Sequence, residues 1–202
     1  MTILDTRTAD LTYAAGDVLG YRAPLGTTAP TPFADLASPW LCAGWIDVPG
    51  YTFKLTQTLK EVMAAGTLDP IRTVISAAPK TFDATFMEAL NPVVISLYDD
   101  VPIANVLPVS PATLVTYTVA STPTDNRYAY VFYTIDGDKR IWNYAPNGKV
   151  TSRGSDQAQQ GDVTSLQMTI TLYPDMIGSV RASLQKTIDY GVAGAAALTA
   201  YE

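Results

Sequence analysis

The chain has 202 residues, of which 48% are hydrophobic and 16% charged, and acidic residues outnumber basic ones by 19 to 13. This length and apolar content suffice for one core, and the net charge of -6 disfavours specific binding to a phosphate backbone. The absence of histidine removes the usual general base and nitrogen metal ligand. We expect one mainly β (α+β) domain with arms, because Thr, Val, Tyr and Pro are abundant. With one cysteine, no signal peptide and no apolar stretch near 20 residues, we expect a soluble chain without a membrane partner, made in a reducing cytoplasm.

Residues 1–40 predict an extended N-terminal arm. Four prolines, Pro24, Pro30, Pro32 and Pro39, block regular hydrogen-bond ladders in a segment rich in Thr and Ala. A free tail gains nothing by exposing large apolar groups to water, so we expect something to cover them, and a neighbouring subunit is one such cover. These apolar groups are Leu19, Tyr21, Leu25, Phe33, Leu36 and Trp40.

Residues 41–175 predict the main β domain, which begins with a hairpin. Residues 41–48 lead into Pro49-Gly50, where glycine accepts the positive φ of a turn, and residues 51–59 lead away from it. The second strand alternates apolar with polar residues, which is typical of a sheet with one buried face. The residues of the predicted buried face are Phe53, Leu55, Gln57 and Leu59.

A second antiparallel pair is predicted between residues 71–76 and residues 81–86. The break between them is Ala78-Pro79-Lys80, and both segments alternate in the period of a strand. Phe82, Ala84 and Phe86 form the apolar side of the second segment.

One short helix is predicted, starting at Asn91-Pro92, because asparagine caps free amides and proline at the first helical position loses no hydrogen bond. It ends near Asp99-Asp100, since the following X-Pro pair disfavours continuation. Strands are then predicted at residues 113–120, 127–135, 139–144 and 166–172, with turns at Asp136-Gly137 and Asn147-Gly148. Residues 176–202, including residues 179–188, predict a C-terminal arm or weak helix.

The cysteine, the acidic pairs and the surface cations of this chain are of residue types that form catalytic or metal sites in other proteins. Here they are interpreted as structural, so no catalytic residue, metal site or cofactor is predicted. Cys42 lies between apolar neighbours and is expected to be buried. Asp99-Asp100 is interpreted as a solvated helix end, and Asp136-Gly137-Asp138 as a hairpin turn without the closing Glu of a calcium loop. Surface cations such as Lys60 and Arg72 keep a sheet soluble or bind an acidic partner.

Several motifs in order resemble the major tail protein, the tail tube protein, of long-tailed, non-contractile bacteriophages. A Phe-rich strand, residues 82–90, carries Glu88 before the Asn91-Pro92 helix start, although Met87-Glu88-Ala89-Leu90 departs from the usual Leu-Leu-Glu wording. The resemblance covers most of residues 41–175, with only generic arms outside. The other motifs are Gly44-Trp45-Ile46, Pro49-Gly50, Ala64-Ala65-Gly66, Ile71-Arg72-Thr73-Val74, the Asp-Gly hairpin, the strand at residues 139–144, Pro146 and Leu172-Tyr173-Pro174-Asp175.

The resemblance implies an antiparallel two-sheet β-sandwich with one flanking helix, assembled as hexameric rings that stack into a conduit for genome ejection. It implies a virion tail protein, assembled in the host cytoplasm, with tape measure, terminator and distal tail proteins as partners and DNA as non-specific transiting cargo. By the same analogy, contacts between rings involve Pro49, Gly50, Tyr51, Lys54, Lys60 and Glu61. Candidates for the ring contact or the bore are Arg72, Val74, Ser76, Thr81, Asp83 and Thr85.

Several alternatives stay open at this point, and the simplest is a soluble β-sandwich whose role the sequence does not indicate. A tail terminator or head-tail joining ring is the nearest, since it forms a single ring where a tube protein polymerises. A carbohydrate- or receptor-binding β-sandwich is another, because Trp45 and Trp142 are able to stack on sugars. Against it, Tyr128 and Tyr130 share a strand face with Phe132 while Tyr133 lies on the other, which is typical of a core. A glycosidase needs two opposed carboxylates, and no motif supports one.

Overall fold

The computed structural model describes residues 8–66, 69–109, 113–122, 124–156, 161 and 163–198. Residues 1–7 and 199–202, parts of the two predicted arms, lie outside this range. The helices are α1 (Pro92–Tyr98) and α2 (Gly191–Leu198), with short 3-10 turns at Ala9–Leu11 and Ile103–Asn105. The strands are β1 (Asp17–Pro24), β2 (Leu41–Leu55), β3 (Thr58–Val62), β4 (Arg72–Ala77), β5 (Lys80–Phe86), β6 (Tyr128–Asp136), β7 (Lys139–Arg153), β8 (Leu166–Leu172), β9 (Asp175–Ile177), β10 (Val180–Ala182) and β11 (Gln185–Asp189).

Two long strands fold the main sheet into a two-layer sandwich. The strand order is β11-β7-β6-β1-β2-β5-β8, and β7 also pairs with β8, which closes the layers on each other. The first part of β2 pairs with β1 and its last part with β5, while β7 pairs first with β6 and then with β8. All these pairs are antiparallel, so the predicted mainly β, antiparallel sandwich is confirmed.

The bends of these two strands lie at motifs that the sequence predicts to be turns. Pro49-Gly50 lies inside β2, where the register with β5 shifts between Ile46 and Tyr51, and Gly50 has a φ of 69°. Asn147-Gly148 lies inside β7, and a Cβ on Gly148 would approach the Tyr130 ring to 2.8 Å. Both hairpin predictions are therefore wrong, because the glycines let a continuous strand turn from one layer into the other.

The main core lies between the layers and is closed by α1. As predicted, Phe82, Ala84 and Phe86 of β5 point inward, and so does the apolar face of β8. The Asn91 side chain accepts a hydrogen bond from the Val93 amide at 2.9 Å, and α1 ends at Tyr98, so the predicted helix is also confirmed. The other large buried members include Val94, Leu97, Tyr130, Phe132, Met168 and Ile170.

The prediction of an irregular N-terminal arm is wrong for β1. This strand lies between β2 and β6 in the sheet, and its only proline, Pro24, comes at its last residue and leaves the ladder intact. The irregular chain that follows covers the outer face of the same layer. Phe33 and Leu36 pack there with Trp40, so this chain itself provides the cover for which a neighbouring subunit was one candidate.

Other strands differ from the sequence predictions in their partners. β4 pairs with β3, whereas β5 pairs with β2 and β8, because pairing is decided by contacts distant in sequence. Residues 113–120 form no strand. The Asp136-Gly137 turn is confirmed by the β6–β7 hairpin, in which Gly137 has a φ of 62°.

The C-terminal part, for which the sequence predicts an arm or weak helix, contains strands β9, β10 and β11 as well as the helix α2. β9 and β10 form a small hairpin, β11 extends the main sheet beside β7, and α2 follows in the Gly/Ala tract. Residues 179–188 are thus strands rather than helix. Within the described ranges, neither helix has the length and apolar character to span a bilayer.

Candidate assembly surface

The β3–β4 hairpin projects from the sandwich as a separate two-stranded sheet whose residues are all exposed. Leu59 lies opposite Ile75, and the two side chains are 59% and 57% exposed. Met63 and Ile71 follow beyond the strand ends and are 51% and 63% exposed. Isolated apolar residues are common on protein surfaces, but a concentration of them on one projecting element is typical of a contact surface.

The opposite face of the hairpin is mixed apolar and cationic. Lys60 lies opposite Val74, and Val62 lies opposite Arg72, so both cations share this face. The Ser76 hydroxyl donates to the Thr58 carbonyl at 2.9 Å, where the strand register shifts. Of the residues proposed for ring contacts by analogy, Lys60, Glu61, Arg72, Val74 and Ser76 therefore come together on this one element.

The Pro49-Gly50-Tyr51 segment has a different environment. Tyr51 packs between the layers, with its ring centroid 4.9 Å from that of Phe132, and its hydroxyl accepts a hydrogen bond from Asn143 at 2.5 Å. Burial raises the pKa of Tyr51 to about 12. Pro49 and Gly50 form the β2 bend, so this segment belongs to the sandwich and is separate from the hairpin.

The second layer consists of β5, β8 and the last parts of β2 and β7, and the first layer of β1, β6, β11 and the first parts of β2 and β7. The outer face of the second layer is rich in hydroxyl groups. Thr81 and Thr85 of β5 point outward beside Asp83, opposite Thr171, Gln167 and Thr169 of β8. Asp83 forms an ion pair with Lys54 of β2. Burial acts to raise the pKa of Asp83, but hydrogen bonds from Lys54 and Thr169 outweigh it and hold the pKa below its usual value. This face therefore combines threonines with a neutralised charge pair.

A groove of about 930 Å³ runs beside α1, and we call it the α1 groove. Its apolar lining includes Met87, Leu90, Ile95 and Leu166. Its acidic lining is Glu88, Asp99 and Asp156. Leu90 is 90% exposed while Leu166 is buried, so the apolar lining opens to solvent at Leu90.

The carboxylates of the groove contribute to the raised pKa values of two tyrosines that line it, Tyr117 and Tyr98. Tyr117 donates a hydrogen bond to Asp99 at 2.7 Å, and this bond, together with burial and the Asp156 charge, raises the pKa of Tyr117 to about 12. Burial, then the charges of Asp156 and Asp99, also raises the pKa of Tyr98. Both effects indicate a site that disfavours further negative charge.

Glu88 fixes the chain at the rim of this groove. Its carboxylate accepts hydrogen bonds from the Trp45 amide at 3.0 Å and from the Asn91 side chain at 2.9 Å. Gly44 has a φ of 77°, and a Cβ there would lie 2.2 Å from the Glu88 carboxyl carbon. The Gly44-Trp45 and Glu88 motifs are therefore two halves of one contact.

The residues considered for chemistry lie in structural settings. Asp100 accepts hydrogen bonds from the Thr124 amide at 2.6 Å and from Asn126 at 2.9 Å, so it organises a loop rather than ending a helix in solvent. Cys42 is exposed, and the expectation that it is buried is wrong because its side chain lies on the outward side of β2. No group of three or more metal-ligating side chains comes together in the described part of the chain.

In the described part of the chain, the aromatic side chains considered for sugar stacking do not lie together on one exposed surface. Trp142 and Tyr130 are buried, on opposite sides of the first layer, and Trp45, 75% exposed, belongs to neither cluster. Tyr128 packs against the core beside Tyr130, as the strand periodicity predicts.

Sequence reasoning missed the α1 groove. Met87 and Leu90 come from the segment between β5 and α1 whereas Leu166 comes from β8, and Asp156 is far from Asp99 in sequence. One signal in the sequence could have indicated the groove. Met87, Ala89 and Leu90 lie close together between the end of β5 and the start of α1, and such neighbouring apolar side chains cannot all point into the core.

A closed antiparallel sandwich that projects an exposed apolar hairpin has the surface of a protein that contacts other chains. A model of the phage tail tube protein family matches residues 7–182, which is most of the chain. The chain belongs to the phage tail tube protein family, so it is a structural protein of the virion tail and not an enzyme. A comparison with curated proteins gave no match.

Proposed function

We propose that this tail tube protein forms rings, hexameric by the resemblance given above, that stack into the conduit for genome ejection. The observation that carries the proposal is the β3–β4 hairpin. Its apolar face has no cover within the described chain, and a free hairpin with this surface invites uncontrolled association. If a further copy of the chain covers this apolar face, and the same contact repeats from copy to copy, the result is an ordered assembly instead of uncontrolled association.

The hairpin is the element we assign to contacts between rings. Lys60, Glu61 and Arg72 are exposed on it, whereas Tyr51 is partly buried against the core, where it contacts the Phe132 ring and accepts a hydrogen bond from Asn143. We therefore keep the hairpin residues in the proposed contact and leave the Pro49-Gly50-Tyr51 bend out of it.

We assign the outer face of the second layer to the bore. Thr81, Asp83 and Thr85 lie on it, and the Lys54–Asp83 pair leaves little net charge at its centre. A polar surface without a dense cationic patch gives phosphates no strong attachment, so DNA passes as non-specific cargo. The overall charge of -6 acts in the same direction.

The remaining parts of the proposal follow from the family. A tube of fixed length needs tape measure and terminator proteins, and a distal tail protein at the other end. Assembly then takes place in the host cytoplasm, where the subunits are made.

The experiment is negative-stain electron microscopy of the purified chain across a concentration series, with sedimentation in parallel. Hollow tubes above a threshold concentration support the proposal. Single closed rings at all concentrations support a terminator or joining ring instead, and a persistent monomer overturns self-assembly.

A further inference from the structure

The hairpin and the α1 groove lie at opposite ends of strand β5. The hairpin is inserted between the end of β2 and Lys80, the first residue of β5. The groove begins at Met87, directly after Phe86, the last residue of β5, and Leu166 lies opposite Phe86 in the sheet. Seven strand residues span roughly 20 Å, so the base of the hairpin is separated from the groove of its own chain by about the length of β5.

The two surfaces are complementary in chemistry. The hairpin offers exposed aliphatic side chains on one face and Lys60 and Arg72 on the other. The groove offers the exposed Leu90 before the start of α1 and the carboxylates of Asp99 and Asp156 beyond its end, while Glu88 is already bonded to the Trp45 amide and the Asn91 side chain. The groove volume of about 930 Å³ accommodates several aliphatic side chains.

The charges on both surfaces are available for a partner. Lys60, Arg72 and Asp156 are exposed, and they make no ion pair with other described residues. Opposite charges at the rim of a contact favour the correct partner and register, while like charges disfavour wrong ones.

We propose that the β3–β4 hairpin of one subunit docks into the α1 groove of a second copy, with Lys60 and Arg72 facing Asp99 and Asp156. The proposal rests on the proposed function and identifies the receptor for the hairpin. The hairpin and the groove are different surfaces at opposite ends of β5, so a contact between them that is repeated from copy to copy is heterologous. Where its rotation does not close into a ring, such a contact leaves a free hairpin at one end of the assembly and a free groove at the other, and it therefore continues along an axis.

The test reverses charges on the hairpin and in the groove, first singly and then in pairs. The measured quantity is the threshold concentration, the lowest protein concentration at which tubes are recovered by sedimentation. Arg72→Glu and Asp156→Lys are made singly and together, and Lys60→Glu is crossed with Asp156→Lys in the same way. Each single reversal places like charges together and is expected to raise the threshold about fivefold. At least one double variant is expected to return to within about twofold of the wild type, because the charges again match. Arg181→Glu, an exposed cation on β10, is the matched control and leaves the threshold unchanged.

The outcomes separate this contact from the proposed function. If the wild type forms tubes but the double variants show only the sum of the single effects, the docking site is wrong and tube formation stands. If the wild type never polymerises, both proposals fail.

Hydrogen exchange on assembled wild-type protein gives a second readout that does not depend on any variant. Docking predicts slower exchange on assembly at residues 59–62 and 72–75 of the hairpin and at residues 95–99 of α1. If exchange slows only in the hairpin, or only in the groove, then the protected surface contacts something other than its proposed partner. Either result overturns the proposal.

Discussion

The apolar face of the hairpin gives the sharpest quantitative prediction. Replacing Leu59 and Ile75 with threonine keeps strand-compatible residues but removes most of the apolar surface that a partner covers. Full burial of such a side chain is worth roughly 1.5–3 kcal/mol, and a little over half of each remains exposed in the free subunit. Each residue therefore contributes about 1–1.5 kcal/mol to a contact, and the pair about 2–3 kcal/mol.

This loss converts into a rise of roughly 30- to 150-fold in the threshold concentration for tubes, measured by sedimentation. Thermal unfolding of the subunit changes little, because neither side chain lies in the core. Val180→Thr, a 63% exposed site on β10, is the matched control for a loss of exposed apolar surface. A threshold within about twofold of the wild type in the double variant refutes the assignment of this face to the assembly contact.

Two further predictions concern the stability of the free subunit. Gly44→Ala is expected to destabilise it by at least about 1–2 kcal/mol more than Gly26→Ala in chemical denaturation, because both have positive φ but only Gly44 meets Glu88. Equal losses contradict the contact. Asp100, whose folded pKa is held low by Thr124 and Asn126 against the effect of burial, stabilises the fold above about pH 4 and loses that contribution as pH falls through its folded pKa. Asp100→Asn is therefore expected to lower stability at neutral pH and to flatten its fall between about pH 5 and 2, whereas parallel curves contradict this role.

The parts of the fold that could be predicted from sequence are those set by local chemistry. Alternation in β5 and β8 identifies the inward residues, since a strand with one buried face has a period of two. The Asn91-Pro92 cap and the Asp136-Gly137 turn depend on hydrogen bonds and φ values within a few residues.

The parts that failed depend on contacts distant in sequence. A glycine with positive φ looks the same in a hairpin turn and in a bend, and only the partners of β2 identify Gly50 as a bend. Proline density in residues 1–40 hides β1, because the prolines follow the strand rather than interrupt it. The α1 groove is assembled from separate segments, so neither its apolar nor its acidic residues form a motif.

The most direct test of the account is a cryo-electron microscopy reconstruction of tubes assembled from the wild-type chain. Each β3–β4 hairpin is expected to cross from its own ring into a subunit of the adjacent ring, and the threonine-rich face of β5 and β8 is expected to line the bore. Stacked rings whose hairpins project freely into solvent would contradict this arrangement.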